Sequence, residues 1–139
     1  MPVTKKFIEI FIDQAMNAIN SRLDTLNNEH FKSPKLFSAL KTQSQQNDVI
    51  EPQQLPILNL LPEAIQTASS GPPYVKELVL SLMPILPQLR WYKRLGSYPA
   101  NFMQGHANAF IIGHEGLEKR DDVTVGITLV APNIQYPDH

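Results

Sequence analysis

The sequence predicts an α+β fold in which helices come first and antiparallel strands follow. Near the N-terminus, apolar residues recur every three or four positions, which is typical of an amphipathic helix. The 12 prolines exceed the ~5% of average sequences and divide the middle of the chain into short pieces. Towards the C-terminus, β-branched residues alternate with small ones, as in a strand. We therefore expect a helical region over residues 1–90 and the opening strands of a β-structure over residues 91–139.

Length and composition narrow the class of protein. A chain of 139 residues with 42% hydrophobic and 18% charged residues is typical of one globular domain and not of a disordered or membrane protein. The formal net charge of -1 argues against a nucleic-acid-binding surface. The absence of cysteine excludes disulfides and thiol catalysis. Glu9 and Asp13 interrupt the N-terminal apolar run, so we expect no signal peptide and a cytoplasmic protein.

Two helices are predicted in the first forty residues. The first runs from Thr4 to about Glu29, and a second begins at Ser33-Pro34, where a capping hydroxyl precedes a proline at the first helical position. The apolar stripe of the first helix comprises Phe7, Ile8, Phe11, Ala15, Ala18, Ile19, Leu23 and Leu26.

Prolines and glycines delimit the next elements. The stretch from Thr42 to Gln54 is almost entirely polar and is predicted to be a linker or loop. Pro62 is expected to start a short helix, and Gly71-Pro72-Pro73 to stop it. Residues Tyr74 to Met83 are predicted to form an apolar helix that Pro84 ends or kinks.

Two apolar runs near the C-terminus are predicted to be strands. The first contains Phe110-Ile111-Ile112 and the second extends from Val123 to Ala131. In the second run Val125, Ile127 and Leu129 share one face, because side chains alternate along a strand. The polar connector between the runs contains a turn glycine, so we expect an antiparallel hairpin.

The densest aromatic stretch allows two interpretations. Trp91, Tyr92, Tyr98 and Phe102 either pack between helices and sheet or form an aromatic wall for an apolar or cationic ligand. A ring face attracts a desolvated cation by ~0.5–2 kcal/mol.

The charged residues and histidines give no metal site by spacing. His106 and His114 are expected to be loop or strand-end histidines that meet only if the fold brings them together. Lys93 and Arg94 are too few for a basic patch, and Asp121-Asp122 is expected to be a pair of solvated turn charges.

The last third of the chain carries a combination of motifs that is found in a known family. Ala131-Pro132 forms a turn after a strand, and Tyr136-Pro137 is followed by His139. The step from Arg120 to Val123 leads into that strand. With these motifs, the run from residue 107 to residue 139 resembles the lead-in to the metal-binding motif of the cupin dimethylsulfoniopropionate (DMSP) lyases. The segment from Leu89 to Trp91 also resembles the entry to the barrel in that family.

The resemblance implies a fold, a reaction and a set of site residues. The strands would open a cupin barrel (a double-stranded β-helix, or jelly roll) that is truncated after its first metal-binding histidine. The implied reaction is a metal-dependent β-elimination of DMSP to dimethyl sulfide and acrylate, with divalent iron, zinc or manganese holding the substrate carboxylate. Tyr136 is the implied catalytic residue, as base or ligand, and His139 the metal ligand. Trp91 and Tyr92 are the candidates for binding the substrate sulfonium.

Alternatives to a lyase remain open. With one or two ligands present, this chain is expected to be an incomplete and inactive portion of the enzyme that binds metal poorly. It is otherwise a non-catalytic cupin that binds a small ligand, or a helical interaction fragment. The expected partner is a small molecule, DMSP or a similar one, with no nucleic acid and no membrane, and homodimerisation is left open.

Overall fold

The computed structural model describes residues 5–26, 45–46 and 55–138. These residues form short helices followed by a small mixed sheet, an α+β arrangement as predicted, whereas the closed cupin barrel stays a prediction. The helices are α1 (Lys5–Leu26), α2 (Leu61–Ser69), α3 (Pro73–Leu82) and α4 (Ala100–Gln104), with 3-10 turns at Pro56–Leu60 and Leu86–Gln88. The strands are β1 (Gln45–Gln46), β2 (His106–Ile112), β3 (Glu118–Lys119) and β4 (Val125–Val130).

Helix α1 packs against α3 through a stripe that is rotated from the predicted one. Ile8, Phe11 and Ile12 are buried, whereas Phe7 is 38% exposed at the edge of the contact. Ile12 was missing from the predicted stripe, because residues at spacings of three and four from Ile8 outline more than one face of a helix. Within the described residues, no helix combines the length and the apolar character needed to span a membrane.

Prolines start helices α2 and α3. The start at Pro62 was predicted, whereas Pro73 was predicted to belong to a stop and is instead the first residue of α3. Pro62 and Pro73 lie at the first or second helical position, where the missing N–H costs nothing. At the start of α3, the Pro72 carbonyl accepts the N–H groups of Val75 and Lys76. The predicted helix at Ser33-Pro34 lies outside the described residues.

The sheet has the order β1-β3-β2-β4 in the part of the chain that is described. The predicted antiparallel hairpin is confirmed, since β2 pairs with β4 from His106 opposite Val130 to Ile112 opposite Val125. The connector is more ordered than predicted, because it contains β3, which runs parallel to β2. Strand β3 also pairs with β1, which lies inside the stretch predicted as a loop.

The helices cover one face of the sheet and enclose the hydrophobic core with it. Side chains of β4 follow the predicted alternation, with Val125, Ile127 and Leu129 turned towards this core. We call the opposite face, which carries Asn108, Phe110 and Thr128, the distal face of the sheet. The buried core residues are Ile8, Phe11, Ile12, Ile57, Ile85, Leu89, Trp91, Ala107, Ala109, Ile111, Ile112 and Leu129.

Candidate functional site

Backbone hydrogen bonds to Asn108 of β2 hold Tyr92 at the distal face. Its N–H donates to the Asn108 carbonyl and its carbonyl accepts the Asn108 N–H, both at 2.8 Å. The Thr128 hydroxyl donates to the Asn108 side-chain oxygen at 2.6 Å. Since paired residues project to the same side of a sheet, Tyr92, Asn108 and Thr128 form one row across the distal face.

The Tyr92 ring lies on the ring of Phe110. The ring centroids are 5.2 Å apart and the planes are 24° from parallel, which gives a stacked aromatic pair. Burial raises the pKa of the Tyr92 phenol above its ordinary value, and negative charge on Tyr136 and on Glu115 raises it further. Tyr92 therefore stays a neutral phenol near neutral pH.

Trp91 lies on the other side of this backbone segment. Its side chain is 3% exposed and packs in the core with Ile8 and Phe11 of α1. The reason is the alternation of an extended chain, which turns Tyr92 to the distal face and its neighbour Trp91 to the helices. Of the two predicted substrate-binding residues, Tyr92 is the accessible one. The role predicted for Trp91 stays a prediction.

His106 is fully buried at the start of β2, and both of its ring nitrogens are engaged. Its Nε2 accepts the backbone N–H of Arg94 at 2.9 Å, so Nε2 carries no proton. Its Nδ1 therefore carries the proton and donates to the Phe102 carbonyl at 2.6 Å. This network assigns a neutral imidazole whose nitrogens cannot bind a metal without losing one of these bonds.

Tyr136, the predicted catalytic residue, lies in a group of rings that we call the aromatic cluster: Tyr98, Phe102, His106 and Tyr136. The His106 ring stacks on the Phe102 ring, with 3.9 Å between the ring centroids. The Tyr136 ring is nearly perpendicular to both, with centroid distances of 5.0 Å to Phe102 and 6.3 Å to His106. Tyr98 contacts the edge of Phe102 at 5.3 Å. These contacts fix the plane of the Tyr136 ring beside β2.

A close backbone approach brings Tyr136 to this place. The Ala131 N–H donates to the Gly105 carbonyl at 2.8 Å. A Cβ at Gly105 would lie 2.6 Å from Ile134 Cγ1 and 2.8 Å from the Asn101 carbonyl oxygen, so only glycine fits. Asn133 turns the chain with a φ of 65°, a left-handed conformation that asparagine tolerates better than most residues.

The cation of Arg94 lies over two tyrosine rings. The guanidinium carbon is 5.2 Å from the ring centroid of Tyr98 and 5.6 Å from that of Tyr136. The His106 bond to the Arg94 N–H holds the backbone from which this side chain extends. Because positions two apart in an extended segment share a face, Arg94 lies on the same side as Tyr92.

The described residues do not by themselves fit a metal ion. Among them, no three His, Asp or Glu side chains converge on one point. His106 is committed to backbone partners, and His114 is an exposed residue 3.3 Å from Asp121. The predicted ligand His139 lies outside the described residues.

Asp122 is solvent-exposed, as predicted, and it also pairs with a buried arginine, which the sequence did not predict. The buried Arg120 donates from Nε to its Oδ1 at 2.8 Å and from Nη2 to its Oδ2 at 2.6 Å. These hydrogen bonds hold the pKa of the Asp122 carboxyl below its ordinary value. The neighbouring Asp121 keeps an exposed side chain, 83% accessible, as predicted.

The sequence prediction missed Arg94 and His106. Arg94 was judged only as part of a basic patch, although its alternation with Tyr92 already placed the two on one face. His106 gave no signal, because its partners at Phe102 and Arg94 are backbone groups, which no residue-type motif reveals. A negative charge on Tyr136 raises the pKa of Tyr92, whereas the site roles of these two residues stay predictions.

Comparison with known proteins gives one result. The family model for dimethylsulfoniopropionate lyase matches residues 28–139, which is most of the chain and includes the distal face and the aromatic cluster. A search of curated proteins and a search of solved structures gave no match. The chain therefore belongs to the dimethylsulfoniopropionate lyase family.

Proposed function

We propose that the distal face and the aromatic cluster form the substrate site of a lyase that cleaves DMSP to dimethyl sulfide and acrylate. The observation that carries the proposal is the position of Tyr136, inside the matched family region and beside the cation of Arg94. The reaction needs a base next to a site for a small zwitterion, and these side chains supply a phenol, a cation and an aromatic pair.

Tyr136 acts as the general base in this proposal. Its phenolate takes the proton from the carbon next to the substrate carboxylate. The electron pair of that C–H bond forms the new C=C bond, while the C–S bond breaks and its electron pair leaves with the sulfur. The products are dimethyl sulfide, acrylate and a protonated Tyr136, which then returns its proton to solvent.

Tyr92 and Phe110 form the wall for the substrate sulfonium. Their stacked rings offer an apolar surface with a negative face, which attracts a desolvated cation by ~0.5–2 kcal/mol. The raised pKa of Tyr92 suits this role, since the residue stays a neutral phenol while Tyr136 exchanges protons. A sulfonium on this wall is held beside the base and not in bulk water.

The metal requirement stays part of the proposal through the family resemblance. It would involve divalent iron, zinc or manganese with His139 as one ligand. The position of Tyr136 does not depend on this metal, because contacts among described side chains hold its ring.

The test is the release of dimethyl sulfide into the headspace when the full-length protein meets DMSP and ferrous or manganous ion. Tyr136→Phe should lower the rate by about 100-fold or more, as expected for the loss of a general base. Tyr74→Phe on helix α3 is the matched control and should leave the rate unchanged. Release by Tyr136→Phe at the wild-type rate would remove Tyr136 from the mechanism. Binding of DMSP without any release would favour a non-catalytic ligand-binding protein.

A further inference from the structure

Arg94 is a half-buried cation with no anionic partner among the described residues. Its guanidinium contacts the ring faces of Tyr98 and Tyr136, and the ion pairs of the described chain involve other residues. A partly desolvated cation is costly unless an anion or a polar group compensates it. The ring faces supply part of this compensation, and a bound anion would supply the rest.

The geometry of a guanidinium suits a second contact in its own plane. A ring interacts with the flat face of the group, while its N–H donors point outwards along the edge. Those donors match the two oxygens of a carboxylate, which they can bind as a pair of parallel hydrogen bonds. Because His106 holds the Arg94 backbone, these donors are presented from a fixed point beside Tyr136.

The placement of Arg94 on the same side as the Tyr92 wall also fits a small zwitterion. Tyr92 and Arg94 are two positions apart on an extended segment, so their side chains leave it in the same direction. One short zwitterion can therefore direct its carboxylate to Arg94 and its cationic group to the rings of Tyr92 and Phe110. The base Tyr136 then lies near the carboxylate end, where the acidic C–H bond is.

We propose that Arg94 binds the carboxylate of the substrate and thereby restricts the site to small carboxylates, above all those with an onium group at the far end. This inference rests on the proposed function and names its substrate class. It leaves room for a metal contact, because a carboxylate offers about four lone-pair sites. Arg94 is a specificity-determining residue in this account and takes no part in the proton transfer.

The experiment measures binding of propionate and of its uncharged analogue propionamide to the full-length protein by calorimetry. Arg94→Gln should weaken propionate binding by about 10- to 100-fold, as expected for the loss of charge-assisted hydrogen bonds. Arg94→Lys keeps the positive charge but loses the pair of parallel N–H donors. Its affinity for propionate should therefore lie between those of the wild type and Arg94→Gln. Lys93→Gln removes the same charge on the other side of the segment and should change the affinity less than twofold. Propionamide should bind equally to all four proteins.

Either of two binding results would overturn the inference: equal propionate affinity in Arg94→Gln and Lys93→Gln, or no measurable propionate binding by the wild-type protein. If Arg94→Gln does not fold, the propionate affinities of Arg94→Lys and Lys93→Gln are compared instead. The inference then requires that Arg94→Lys binds propionate more weakly than Lys93→Gln. The kinetics separate this inference from the proposed function. If Arg94→Gln loses propionate binding but the wild-type protein releases no dimethyl sulfide, the inference stands and the lyase proposal fails. If Arg94→Gln releases dimethyl sulfide with an unchanged KM for DMSP, the lyase proposal stands and the inference fails.

Discussion

Replacing His106 with phenylalanine tests the bond network that holds the aromatic cluster. The new ring can still stack on Phe102, so the substitution mainly removes two hydrogen bonds. The Arg94 N–H loses its acceptor, whereas the Phe102 carbonyl keeps a weaker bond from Gly105 N–H at 3.1 Å. An unsatisfied buried group costs about 1–3 kcal/mol, and the weakened carbonyl adds a smaller amount. We expect His106→Phe to lower the free energy of unfolding by about 2–4 kcal/mol.

The assay is urea and thermal unfolding at pH 7, followed by the fluorescence of the single tryptophan, Trp91, and by circular dichroism. A loss of this size should lower Tm by about 6–14 °C in a domain of this length. His114→Phe is the control, since that side chain is 73% exposed and its ion pair is worth less than about 1 kcal/mol. If both variants unfold at the same urea concentration, the His106 bonds contribute nothing and the proposed anchoring of Arg94 is wrong.

Two further predictions concern titration. The difference in phenolate absorbance between the wild type and Tyr92→Phe, measured as a function of pH, gives the titration curve of Tyr92. The midpoint of this curve should lie above 10.0, the ordinary pKa of a tyrosine phenol. In Tyr136→Phe this midpoint should fall, because the second phenolate charge is gone, and a midpoint at or below 10.0 in the wild type contradicts the assignment. The lowered pKa of Asp122 stabilises the fold above pH 3.8, and this stabilisation is lost as the pH falls through the folded-state pKa. Asp122→Asn should therefore make Tm decrease less as the pH is lowered, whereas Glu9→Gln should leave this decrease unchanged. If the two variants show the same dependence of Tm on pH, the ion pair between Arg120 and Asp122 does not stabilise the fold.

Local patterns predicted the secondary structure well. Pro62 was correctly predicted to start a helix, because the proline ring fixes φ and suits the first helical turn. The same property places Pro73 at the start of α3, although it was predicted to belong to a stop. The alternation in β4 placed Leu129 towards the core, since a strand repeats every two residues. The same local rules failed at β1 and β3, which are two-residue strands held by pairing with each other and, for β3, with β2.

The sequence by itself determined the order of helices and strands, the antiparallel pairing of β2 with β4, and the motif around Tyr136 that marks the family. Only the tertiary structure decided that Trp91 faces the core, that His106 is a neutral anchor, and that Arg94 lies over Tyr136. The physical reason is the range of the interactions. Helix and strand periodicity acts between residues a few positions apart, whereas the site depends on backbone hydrogen bonds and ring contacts that form only when distant segments fold together.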